Sequence, residues 1–62
     1  MDDVARALER AAEGHYIFFR EGGWYPVYEP RGDEAIPEHV ELNPGTLRVE
    51  DVMGRVVWAG AN

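Results

Sequence analysis

Two histidines, His15 and His39, and twelve Asp and Glu side chains are the groups of this chain that can move a proton or hold a cation near neutral pH. A His beside a Glu is the minimum for general acid–base work. Asp33, Glu38 or Glu41 could join the two imidazoles around a metal ion. The spacing supports neither reading, because no H-x-x-H or H-E-x-x-H run occurs. The chain has no Cys, Ser, Lys or Gln and a single Thr. That removes disulfides, thiolate nucleophiles, Cys-ligated zinc, Ser-His-Asp and Cys-His triads, Schiff-base lysines and the Walker lysine. Gly22 and Gly23 lie between two strand-like runs, not between a strand and a helix, so they make no phosphate loop. The residues therefore point to a non-enzymatic protein with no cofactor and no metal.

Charge is the next resource. Sixty-two residues carry a formal net charge of −6. Such a chain is repelled by nucleic acid and is a poor direct ligand for it. The acids are unevenly placed. Residues 29–41 hold Glu29, Asp33, Glu34, Glu38 and Glu41 against Arg31 alone, and residues 1–13 hold four acids, Glu9 and Glu13 among them, against two arginines. A negative surface of this kind speeds encounter with a basic partner and orients it. The plainer alternative is a charged loop that keeps a small domain in solution. The six arginines are scattered singly, and Arg6 and Arg10 are expected to pair with helix carboxylates.

Aromatic side chains are the third resource. Six of the seven lie between positions 16 and 28: Tyr16, Phe18, Phe19, Trp24, Tyr25 and Tyr28. Trp and Tyr anchor many protein interfaces, so Trp24, Tyr25 and Tyr28 are candidate contact residues. The alternative is that they form the core of a domain too small to manage without large side chains.

These groups must be positioned by short elements. Val4, Leu8 and Ala11 fall on one stripe of an amphipathic helix over residues 2–13, with Asp2 or Asp3 as cap and Gly14 as its terminating left-handed residue. His15 to Arg20 is rich in β-branched and aromatic residues and predicts a strand. Glu21-Gly22-Gly23 is a hairpin connection, and Trp24 to Glu29 returns. Pro26 removes a ladder donor and demotes this second strand to an edge or bulge. The hairpin is apolar on both faces, so one face must meet the helix and the other must be covered by something else or be exposed. Residues 30–37 read as loop, Val40 and Leu42 as a short strand, and Asn43-Pro44-Gly45 as a type II turn. Leu47 and Val49 alternate as a strand, with a helix over 46–53 as the alternative. Gly54 lies in a turn, and residues 55–59 form a last strand. The expected fold is α+β in a single domain: one N-terminal amphipathic helix packed on an antiparallel sheet of four or five strands. The charged N-terminus lacks the apolar stretch of a signal peptide, and no run approaches the roughly 18 apolar residues of a membrane span. A cytoplasmic protein is expected.

Length, charge, the cysteine-free α+β make-up and the acid-rich helix and Asp33-Glu34 loop resemble those of the small acidic inhibitors encoded by phages, the anti-CRISPR proteins of type I systems in particular. The resemblance implies a stoichiometric inhibitor that binds a ribonucleoprotein effector in the host cell and blocks target DNA by presenting carboxylates to its DNA-binding surface. On that reading Glu9, Glu13, Glu29, Asp33, Glu34, Glu38 and Glu41 supply charge, while Trp24, Tyr25 and Tyr28 supply apolar anchoring, in a monomer or weak homodimer. The rival reading is a structural or regulatory interaction module, a homodimer through the aromatic hairpin. A third is a small enzyme or metal protein built on His15 and His39.

Overall fold

The computed structural model describes residues 2–60, leaving aside the side chains of Asp2, Leu8, Glu9 and Ala11. Helix α1 (Asp2–Ala12) leads into the hairpin β1 (His15–Arg20) and β2 (Gly23–Tyr28). A 3-10 turn (Asp33–Ala35) then runs directly into helix α2 (Ile36–Leu42), followed by β3 (Thr46–Asp51) and β4 (Val56–Ala59). The four strands form one antiparallel sheet in the order β2-β1-β3-β4. The fold is α+β, as expected, and β2, the strand with Pro26, lies at an edge. Edge placement leaves the missing proline N–H outside the ladder. The alternative of a helix over 46–53 is not taken: Thr46–Asp51 is a strand that pairs with β1 on one side and β4 on the other.

The core lies on one face of this sheet. Tyr16, Phe18 and Val49 point to it, and Ile36 from α2 closes over them. Phe18, Val49 and Ile36 are completely buried. Tyr25, Val27, Val40, Val57 and Trp58 pack around this group. Fully burying side chains of this size contributes about 1.5–3 kcal/mol each.

Two expectations are corrected here. First, Val40 and Leu42 do not form a strand. Residues 36–42 are helical, with Ile36 and Val40 one turn apart facing the core and Leu42 exposed. Pro37 sits in the first turn, where its missing N–H costs nothing. Second, α2 covers the core, and no described side chain of α1 joins it. Asp3, Val4, Ala5, Arg6, Ala7 and Arg10 of α1 are all exposed, Val4 at 64%. The radius of gyration, 12.5 Å, exceeds the roughly 11 Å of a compact chain of this length, as a projecting helix requires. α2 lays Ile36 and Val40 on the core, with Ile36 completely buried, whereas Val4 of the α1 stripe stays exposed. Of the caps proposed for α1, the Asp2 side chain lies outside the described residues, and Asp3 is exposed within the helix.

Five glycines take positive φ, and Gly14 and Gly45 are the two that flank the helices. Gly14, at φ +81°, ends α1, and a Cβ there would press on the Tyr28 ring at 3.1 Å and the Glu29 carbonyl oxygen at 3.2 Å. Its own carbonyl accepts the Glu29 N–H at 2.6 Å. Gly45, at φ +97°, completes the Asn43-Pro44-Gly45 turn, which joins α2 to β3. Among the described residues no helix is long and apolar enough to cross a membrane.

Candidate functional site

The acidic segment does not present all its carboxylates. Ala35, Ile36, His39 and Val40 face inward along the 3-10 turn and α2, which turns Glu34, Glu38 and Glu41 outward. Their i, i+4, i+7 spacing lines them up in one stripe about 10 Å long. Asp33 is also exposed, but it has structural work: its Oδ1 accepts the Tyr16 hydroxyl at 2.7 Å and its Oδ2 lies 3.5 Å from Arg55. Burial, then this bond to a carboxylate, pushes the Tyr16 phenol up to about 12. Glu38 lies 3.0 Å from the Arg31 guanidinium, both well exposed.

Glu29 departs from the surface role given to it. It is only 4% exposed. Its Oε2 accepts the Arg31 backbone N–H at 2.6 Å, and its Oε1 accepts the Arg31 Nη2–H at 2.9 Å. The same Oε1 lies 2.9 Å from His39 Nε2. The Arg31 side-chain bonds, then those from His39 and the Arg31 backbone, hold the Glu29 carboxyl down at about 2. This cluster ties the end of β2 to α2. A carboxylate can be this buried because every lone pair it turns inward is met by a donor. Glu13 is exposed just beyond α1, and the side chain of Glu9 lies outside the described residues.

The aromatic trio is also divided. Trp24 and Tyr28, 63% and 62% exposed, stand on the face of the sheet away from α2. Tyr25 turns the other way, its ring 5.6 Å from Phe18, and its buried hydroxyl has no hydrogen-bond partner among the described residues. The opposite face is open, the second of the two alternatives that the doubly apolar hairpin left. Strand register arranges it in rows. Trp24, Phe19, Arg48 and Ala59 make one, Pro26, Ile17, Glu50 and Val56 the next, and Tyr28 beside His15 a third. Arg48 lies over the Phe19 ring at 3.8 Å and its Nε donates to Glu50 Oε2 at 2.7 Å. Sequence reasoning passed over Arg48 and Glu50 as site residues. Their i, i+2 spacing on a strand was the available signal, since it places both on one face.

A cleft of about 590 Å³ lies between the end of α1, the Pro30–Asp33 segment and the β3–β4 turn. Arg6, Arg10, Arg31 and Arg55 line it with Glu13, Asp33 and Asp51. Arginines that are scattered in sequence thus meet around one cavity. Arg31 and Arg55 are already matched there by carboxylates, Arg55 by Asp51 at 3.1 Å. The two histidines stand apart: His15 packs against Tyr28 on the open face, and His39 lies on the core side. Among the described residues no three His, Asp or Glu side chains are grouped to hold a metal ion.

Comparison of the chain with protein-family models, with curated proteins and with solved structures found no match.

Proposed function

We propose that this chain is a non-enzymatic inhibitor that docks its acid-bearing helix face on a basic, nucleic-acid-binding surface of a larger protein or ribonucleoprotein. The observation that carries the reading is the outward stripe Glu34, Glu38 and Glu41 on the 3-10 turn and α2. Three carboxylates over about 10 Å give a linear charge density of the same order as the one phosphate per 3.4 Å of a single DNA strand. A groove shaped to accept phosphates would therefore meet a comparable row of charge, held rigidly by a helix whose inner face is locked in the core. The anti-CRISPR-like inhibitors that the chain resembles provide the analogy for such blocking in the host cytoplasm.

Glu34 and Glu41 are the clean probes, since neither forms a hydrogen bond or ion pair among the described residues, whereas Asp33 and Glu38 do. The test is capture of partners from host lysate at about 0.1 M and about 0.5 M salt with the wild type and with a Glu34→Lys/Glu41→Lys variant. Charge-led docking is screened over this range. The expected result is a nucleic-acid-binding protein held at low salt only, and lost in the folded double variant. Equal recovery by wild type and variant would sink the reading.

A further inference from the structure

We propose that the open face of the sheet is a self-association surface, and that a second copy of this chain docks on it across a two-fold axis. The face is apolar at its centre, with Ile17 and Phe19 flanked by Trp24, Pro26 and Tyr28. Ala12 and Val52 border it at one end, which makes a shallow groove of about 430 Å³ over Ile17, Trp24 and Pro26.

Charge selects the occupant. The chain is strongly acidic at −6, yet the central rows of this face hold one positive and one negative side chain, Arg48 and Glu50, already paired. The stripe of Glu34, Glu38 and Glu41 lies on the helix layer across the sheet. A basic partner would find almost nothing here to pair with. Two acidic copies, by contrast, approach with least repulsion through this face.

The face is also self-complementary, as an isologous interface must be. Take a two-fold axis lying in the interface, perpendicular to the strands and midway between the Phe19 and Ile17 rows. It sets Trp24 over the partner's Pro26, Phe19 over the partner's Ile17, and Arg48 over the partner's Glu50, each contact made twice. The Arg48–Glu50 pair then exchanges across the axis without leaving either charge unmatched.

Size sets the strength. A stable interface covers about 800 Å² per partner, about one-sixth of the 4773 Å² surface of this chain. Four strands of up to six residues span about 20 Å by about 15 Å, a footprint of about 300 Å² and well below that size. The dimer is therefore weak and concentration-dependent. This surface is separate from the acidic stripe, so the inference stands or falls independently of the proposed function.

Sedimentation equilibrium of the full chain tests it, with circular dichroism as the check on folding. Wild type is expected to rise from 7.0 kDa toward twice that mass as concentration increases. Trp24→Glu is expected to stay monomeric with an unchanged spectrum. Arg48→Glu is expected to weaken association by about tenfold or more, and Arg48→Glu/Glu50→Arg to restore it, since the swapped pair again matches across the axis. A wild type that stays monomeric throughout would overturn the proposal, as would a dimer that survives Trp24→Glu. Failure of the folded charge-swap variant to restore association would remove the two-fold arrangement.

Discussion

Phe18 and Phe19 are the same residue one position apart, and they lead different lives. Phe18 is completely buried against Val49, Ile36 and Tyr25, while Phe19 lies on the opposite face beneath the Arg48 guanidinium and keeps some exposure. The same contrast runs through the hairpin, where Tyr25 faces the core and Trp24 and Tyr28 face outward. The two faces differ little in composition. They differ in cover: the 3-10 turn and α2 lay Ile36 and Val40 on one face, and the Glu29–Arg31–His39 cluster fastens that layer to β2. A two-layer domain of this length has one helix layer to spend, so a sheet that is apolar on both sides keeps one side available for another molecule.

The contrast breaks most directly at the phenylalanines. Phe18→Ala removes a fully buried ring at a cost of about 3–5 kcal/mol, comparable to the whole stability of about 3–5 kcal/mol that a single core of this size supplies. The variant is expected to be unfolded at room temperature by circular dichroism, whereas Phe19→Ala keeps the fold. The reverse outcome would invert the assignment of the faces.

Next in size is the fastening of the cover. Glu29→Gln is expected to lower Tm by about 10 °C, measured by thermal denaturation, because Arg31 and His39 lose a shared buried acceptor. The wild type should also be acid-sensitive in a defined window. Glu29 titrates at about 2 in the folded protein against an ordinary 4.5. Its stabilisation is therefore present above about 4.5 and lost as pH falls toward 2. Urea midpoints recorded against pH should fall less steeply over this window in the Gln variant.

A smaller effect sharpens the other attachment of the cover. Tyr16→Phe deletes the hydrogen bond to Asp33 at a net cost of about 1 kcal/mol. Tyr16 stays protonated up to about 12 in the folded protein against 10.0 ordinarily, so its contribution is complete below pH 10 and is lost as pH rises through 12. The difference in stability between wild type and the Phe variant should shrink across that range. Smallest of all is Trp24→Glu on the open face. Stability is expected to move by no more than about 0.5 kcal/mol, while self-association is lost. A large loss of stability in this variant at monomer concentrations would mean that the face is not open.

Much of the sheet was legible from local chemistry. The β-branched and aromatic run His15–Arg20, the Gly22 turn, Pro26 at an edge and Gly14 as a helix stop each follow from the conformations those residues favour. The 30–42 segment was not. Its prolines and glycine read as loop, and the alternation of Val40 and Leu42 hid the inward set Ala35, Ile36, His39 and Val40, whose spacing is helical. In a segment this short, period 2 and period 3.6 compete over a few residues, and the choice depends on what lies beneath. The same holds for the site. Glu34, Glu38 and Glu41 could be named as surface carboxylates from composition. Glu29 could not be told from them, because its burial depends on His39, ten residues away.

The sequence by itself determined the chemistry this chain lacks, its charge, its strand-forming hairpin and the surplus of apolar side chains on two sides of that hairpin. These are properties of residue types and of neighbours within a few positions. Only the tertiary structure decided which helix became the cover, which carboxylate was drawn into the core and which aromatic rings were left outside. Those outcomes depend on burial and on partners far apart in the chain, such as Glu29 with His39 and Ile36 with Phe18 and Val49.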